Sequence, residues 1–163
     1  MGLENIWFTS DLHLGHNDIS KHRKFDSDEE HDETVIELLN SRVKKRDKLF
    51  ILGDVAMKNS SLQILSRING IKELIIGNHD TYATTEYLKY FTKVHGFRQY
   101  RGLWLSHCPI HPQEMHRCRA NIHGHIHYGT DSPPLDLPYI NVNLDFNRMR
   151  PVNMEDIMEM VNG

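Results

Sequence analysis

Residues 6–16 read Ile6-Trp7-Phe8-Thr9-Ser10-Asp11-Leu12-His13-Leu14-Gly15-His16. The first four are apolar, aromatic or β-branched and predict a short buried strand. The strand then runs into an acid and two histidines, which are costly to crowd together unless something binds them. The same punctuation recurs down the chain. Leu49-Phe50-Ile51-Leu52 leads to Gly53-Asp54, and Leu74-Ile75-Ile76 leads to Gly77-Asn78-His79-Asp80. Leu103-Trp104-Leu105-Ser106 leads to His107, and Asn121-Ile122-His123 leads to Gly124-His125-Ile126-His127.

Further strands are predicted at 94–100 and 139–142. Helices are predicted over 28–45, 60–68, 84–91 and 154–161, the last capped by Asn153. The 28–45 segment opens acidic and closes basic, in the order that suits a helix dipole. Strand–helix alternation in the first half implies βαβ units with parallel pairing. In open α/β sheets, sites form beyond the carboxyl ends of strands, so five strand ends would deliver Asp, His and Asn to one edge. Glycine ahead of three clusters lets the backbone turn sharply. The pairs Asp11/His13 and His125/His127, spaced by two, would share a face in extended chain.

With 163 residues the chain fits one domain, 1–163, with a substantial core, and no linker or repeat divides it. Hydrophobic content of 39% and charged content of 25% are those of a globular protein. A net charge of −3 supplies no global field for a long polyanion. Two cysteines make neither a disulfide framework nor a C-x-x-C pair, and suit a reducing compartment. No signal peptide is legible at the N-terminus, and no run approaches the ~18 apolar residues of a membrane span. A cytoplasmic location is the expectation.

Carboxylate, imidazole and amide oxygen without thiolate suit hard-to-borderline divalent ions. Seven such groups exceed one tetrahedral shell and fit two ions ~3.5–4 Å apart that share a carboxylate. The ordered set D-x-H, G-D, G-N-H-D, H and G-H-x-H, from Asp11 to His127, resembles the calcineurin-like metallophosphoesterase family. It most resembles the small cap-less bacterial and phage branch. The resemblance implies a single-domain α/β/β/α sandwich with two mixed β-sheets. It implies that Asp11, His13 and His127 hold one metal, that Asp54 bridges, and that Asn78, His107 and His125 complete the second. His79 would face the phosphate and the leaving oxygen as a catalytic acid, with Asp80 orienting it.

Two divalent transition-metal ions are therefore expected, manganese first, with Fe, Zn, Ni or Co accepted by the same donors. They would neutralise phosphoryl oxygens and lower the pKa of a bridging water for in-line attack. The expected enzyme is a phosphodiesterase or phosphomonoesterase acting on small phosphate esters or nucleotides. A nuclease on single-stranded nucleic acid and a non-catalytic metal-binding scaffold are the alternatives. "GDVAMKN" lacks the Asp-Arg-Gly of the protein phosphatases, and the length leaves no room for the added domains of the DNA-repair nucleases.

Outside the ordered set, His16 either touches substrate or caps the next segment. Arg23 either forks a phosphate or lies in a solvated basic turn. His123 alternates away from the site as a packed histidine, and Cys108 is expected to be a small buried hydrophobe pointing away from the metals. His22, His31 and His95 read as surface, and His111 and His116 carry no assigned role.

Overall fold

The computed structural model describes residues 2–127 and 138–163. In chain order its elements are β1 (Ile6–Thr9), α1 (Asn17–His22), α2 (Asp28–Asn40), β2 (Lys48–Ile51), β3 (Ile71–Ile75), α3 (Thr84–Tyr87) and β4 (Lys93–His95). There follow β5 (Arg98–Tyr100), β6 (Leu103–Leu105), β7 (Ala120–His123), β8 (Tyr139–Asn141), β9 (Val152–Asn153) and α4 (Met154–Asn162). Most of the proline-punctuated loop read between His127 and Tyr139 lies outside the described residues.

Two mixed sheets result. The first has the order β4-β3-β2-β1-β9, parallel except for the antiparallel β1–β9 edge. The second has the order β5-β6-β7-β8, parallel except for β5–β6. The two-residue period of a strand sorts the core. Ile6, Phe8, Phe50, Leu52 and Ile75 pack with Leu103, Leu105 and Ile122 of the second sheet. Leu49, Ile51 and Leu74 instead meet Val35, Ile36 and Leu39 of α2, with Leu62 and Leu65 beside them. Burial on both faces is why these strands read as continuous apolar runs rather than as alternation.

Four expectations change in detail. Residues 94–100 are two strands rather than one, because the chain bends at Gly96-Phe97 and β4 and β5 enter different sheets. The helix predicted over 28–45 ends at Asn40, so Arg42–Lys45 follow it rather than form its last turn. Val43 drops into the core there, and the Lys44 amide donates to Asp47 Oδ2 at 2.9 Å. Residues Asn59–Arg67 wind as a 3-10 helix. The helix predicted over 84–91 closes after a single turn. Asn153 does cap α4, accepting the Glu155 amide at 2.8 Å. No helix among the described residues is long and apolar enough to cross a membrane.

Candidate metal centre

The parallel strands β1, β2, β3, β6 and β7 end along one edge, and the five polar clusters meet there. Two donor groups form. In the first, His13 Nε2 lies 3.6 Å from Asp11 Oδ1 and 3.7 Å from Asp54 Oδ2, while His127 Nε2 lies 3.6 Å from Asp11 Oδ1. In the second, His107 Nε2 lies 2.9 Å from Asn78 Oδ1, 3.2 Å from His125 Nδ1 and 3.3 Å from Asp54 Oδ2. Asp54 Oδ2 belongs to both groups. All seven residues of the expected ligand set are thus brought together, with Asp54 between the two halves.

The backbone bends hard to achieve this. Asp11, His13, Asp54 and His125 have φ of 59°, 48°, 55° and 68°, the left-handed region that costs a residue with a Cβ. The i, i+2 pairs therefore converge through tight turns rather than in extended chain. Gly53, at φ 92°, makes the turn after β2. A Cβ on Gly124 would meet Ser10 Oγ at 1.9 Å and Asp11 Oδ2 at 2.4 Å, so only glycine admits the approach of this loop to Asp11.

Asp11, His107 and His127 are each aimed by their other polar atom. Asp11 Oδ2 accepts from Ser10 Oγ and from the His125 amide at 2.9 Å, which leaves Oδ1 facing His13 and His127. His107 Nδ1 donates to the Leu52 carbonyl at 2.6 Å, so neutral His107 presents a lone pair at Nε2. His127 Nδ1 pairs with Asp145, and Asp145 in turn accepts from Arg23 Nε at 2.8 Å. This carboxylate–histidine pairing is what orients metal-bound histidines. Asp145 carries no cue in the sequence: it sits 18 residues past His127, outside every cluster.

The electrostatics call for positive charge. Asp11 Oδ1 and both His13 ring nitrogens are buried without a hydrogen-bond partner among the described residues. Each such atom costs ~1–3 kcal/mol unless something binds it. Burial raises the Asp11 carboxyl, but the facing His127 and His13 imidazoles, together with the Ser10 hydrogen bond, override it and hold the pKa far below the usual range. Burial likewise opposes charge on His107, and Asp54 and Asp11 more than offset it, so its pKa is raised. His127 is raised to about 9 by the Asp11 carboxylate facing its Nε2 and the Asp145 carboxylate paired with its Nδ1. Converging lone pairs around unpartnered buried atoms fit divalent cations, and the donor set itself is the mixed O/N kind such ions take.

The remaining candidates take different places. The Asp80 carboxylate does not reach the His79 side chain; it accepts the amides of Asp54 (2.8 Å), Val55 (3.0 Å) and Gly77 (2.8 Å). It braces two ligand loops instead of orienting the histidine. His79 is exposed beside the centre, with its amide on Asp54 Oδ1 at 3.0 Å and its ring 6.0 Å from that of His13. His16 is the N-cap of α1, its Nδ1 accepting the amides of Asp18 (3.2 Å) and Ile19 (3.3 Å), and its ring stands edge-on to His13.

Arg23 is neither a phosphate fork nor a solvated turn. Its side chain is 3% exposed and donates to the carbonyls of Asp11 (2.7 Å) and Leu12 (3.3 Å) as well as to Asp145. His31, read as surface, is fully buried between Arg23 and Asp32. His123 is buried as expected, edge-on to Tyr139. Cys108 departs from expectation: it is exposed, and its sulfur groups with ring nitrogens of His107 and His125. The chain turns after β6, so strand alternation no longer governs the residue following His107.

No protein-family model matches the chain. Gene 66 protein of Mycobacterium phage L5 is 43% identical over 84 residues, covering 48% of this chain and 41% of the phage protein. The chain thus matches about two-fifths of the length of that relative. The uncharacterized protein MJ1445 of Methanocaldococcus jannaschii is 28% identical over 171 residues, covering 99% of this chain and 93% of the relative. Among solved structures, the Aquifex aeolicus protein AQ665, of unknown function, superposes with a TM-score of 0.77 at 26% identity, covering 95% of this chain and 98% of that one. An archaeal phosphodiesterase gives 0.54 at 14% identity, over 91% of this chain and 97% of its own. The Mycobacterium tuberculosis phosphopantetheinyl hydrolase gives 0.51 at 12%, over 90% and 95%. Strand order and these neighbours establish the architecture: the chain has the metallophosphoesterase-like fold, α/β with two mixed sheets, and carries His/Asp clusters compatible with metal binding.

Proposed function

We propose that the protein is a dinuclear-metal-dependent phosphoesterase hydrolysing diester or monoester bonds of small phosphate esters or nucleotides. The observation that carries this reading is the buried, unpartnered Asp11 Oδ1 and His13 Nε2, facing Asp54 and His127 beside a second donor group built on the same Asp54 carboxylate. Asp11, His13, Asp54 and His127 would hold one cation, and Asp54, Asn78, His107 and His125 the other, with manganese the expected metal. When bound, such ions neutralise phosphoryl oxygens and make water a nucleophile near neutral pH.

The chain's own residues supply the rest. Asp54 fixes the separation of the two donor groups. The hydrogen bond from His107 to Leu52 and the pairing of His127 with Asp145 hold each imidazole in the tautomer that presents a lone pair to the centre. His79, exposed next to the donors, is placed to give a proton to the departing ester oxygen, a contribution typically worth ~10²–10⁴-fold. A water nucleophile with His79 as proton donor would complete the hydrolysis, so the reading needs no covalent enzyme intermediate. A cytoplasmic location belongs to the same proposal.

The test is elemental analysis of the purified protein, with a phosphomonoester and phosphodiester panel after Mn²⁺ loading. Transition metal near two equivalents and turnover abolished by Asp54→Ala support the reading. Absence of metal together with indifference to added Mn²⁺ overturns it.

A further inference from the structure

Next to the second donor group lies an open cavity of ≈ 340 Å³. Its wall runs from Asn78, His107 and Cys108 at the metal centre to Ile76, Phe97 and Trp104. Phe97 is 64% exposed, unusual for a phenylalanine in a chain of this size, and it leans on Trp104 at a ring separation of 5.2 Å. Trp104 is itself held in place, its indole N–H donating to the Glu114 carbonyl at 2.9 Å. The bend that separates β4 from β5 is what sets Phe97 at the mouth of the cavity. An aromatic residue is thus displayed, on a braced neighbour, in the same cavity as Asn78 and His107 of the second donor group.

We propose that this cavity is the subsite for a nucleobase, so that the substrate is a nucleotide ester whose base lies on Phe97 and Trp104 while its phosphate sits at the donor groups. The inference rests on the phosphoesterase reading for its phosphate half. Three observations favour a base over another apolar arm. The cavity is continuous with the centre through Asn78 and His107, so one ligand spans both. Its apolar surface presents Phe97 and Trp104 beside Ile76 and Ile110, and stacking on an aromatic face accepts any base. Glu114, exposed on the lining, offers a carboxylate acceptor that suits the N–H groups of a base.

Two matched diesters test it on the Mn²⁺-loaded protein: the methyl ester of guanosine 5′-monophosphate and the methyl ester of ribose 5-phosphate. The base-bearing diester is expected to have the higher kcat/KM by roughly 5- to 150-fold, the range that base–aromatic stacking supports. Phe97→Ala is expected to bring the ratio towards one, and Phe97→Tyr to restore it. Independently, in a Trp7→Phe background the remaining Trp104 fluorescence is expected to be quenched by guanosine 5′-monophosphate and not by ribose 5-phosphate.

Equal turnover of the two diesters, with a ratio indifferent to Phe97→Ala, overturns the base subsite and leaves the phosphoesterase reading standing. If neither diester is turned over, the phosphomonoester panel decides the phosphoesterase reading and the fluorescence titration decides the subsite alone. Quenching confined to the base-bearing ligand then upholds it, and equal response to both ligands overturns it.

Discussion

The carboxylate of Asp80 accepts the amide N–H of Asp54 at 2.8 Å, and its remaining capacity goes to the amides of Val55 and Gly77. One side chain thereby ties the turn after β2, which carries the shared carboxylate, to the turn after β3, which carries Asn78. Burial pushes the Asp80 carboxyl up, and the three amides oppose it without cancelling it. Asp80 therefore acts on the geometry of the two turns through their backbone amides.

Replacing it by asparagine turns one acceptor oxygen into a donor that faces backbone donors. Asp80→Asn is expected to lose ~1–3 kcal/mol of stability. It is also expected to weaken metal binding about 10–100-fold, as loss of an outer support does. Urea unfolding and a metal titration check both, and a variant matching the wild type in each would remove Asp80 from this role.

His79 and Asp54 separate binding from chemistry. His79→Ala is expected to keep its full metal content while kcat falls ~10²–10⁴-fold, because only a proton donor is lost. Asp54→Ala is expected to lose metal as well, since both donor groups use its Oδ2. The fall in the His79→Ala variant should be smallest for esters with acidic leaving groups, which depart without a proton. A uniform loss across leaving groups would deny His79 the acid role.

Arg23 holds the Asp11 turn through two carbonyls and Asp145 through an ion pair, with both side chains nearly buried. Removing one partner of a buried pair typically costs ~3–5 kcal/mol. Arg23→Met is expected to fall in that range and Arg23→Lys to recover part of it, since a lysine cannot make the fork. Denaturant midpoints measure this directly; a Met variant as stable as the wild type would show that the pair contributes nothing.

The pairing of His127 with Asp145 predicts a pH window for the metal-free protein. His127 rises from 6.5 to about 9 on folding, so its contribution is complete below pH 6.5 and is lost as the pH climbs through about 9. Burial raises Asp145, yet the hydrogen bond from His127 and the Arg23 charge bring it from 3.8 down to about 2. Its contribution is complete above pH 3.8 and is lost as the pH falls through about 2. The stability difference between wild type and Asp145→Asn should therefore be larger at about pH 5 than at about pH 10. Unfolding titrations of chelator-treated protein at the two pH values measure it, and a constant difference would contradict the assignment.

What the sequence determined by itself is where the strands leading to the site end and which residue types follow them. Apolar runs such as Leu49–Leu52 and Ile71–Ile76 are local signals, and the Asp, Asn or His that follows each run is read directly beside it. Parallel pairing then implies that those ends share an edge. The tertiary structure decided everything that depends on which distant residue faces a side chain. Asp145 and Arg23 meet across 122 positions, and Asp11 and His125 across 114. No local pattern encodes such pairs, because the stacking of the two sheets sets them. The left-handed turns at Asp11, His13 and His125, the bracing role of Asp80, the burial of His31 and the exposure of Cys108 have the same origin. Sequence periodicity states which face a residue takes within its own element, and only the packing of one element on another states what it meets there.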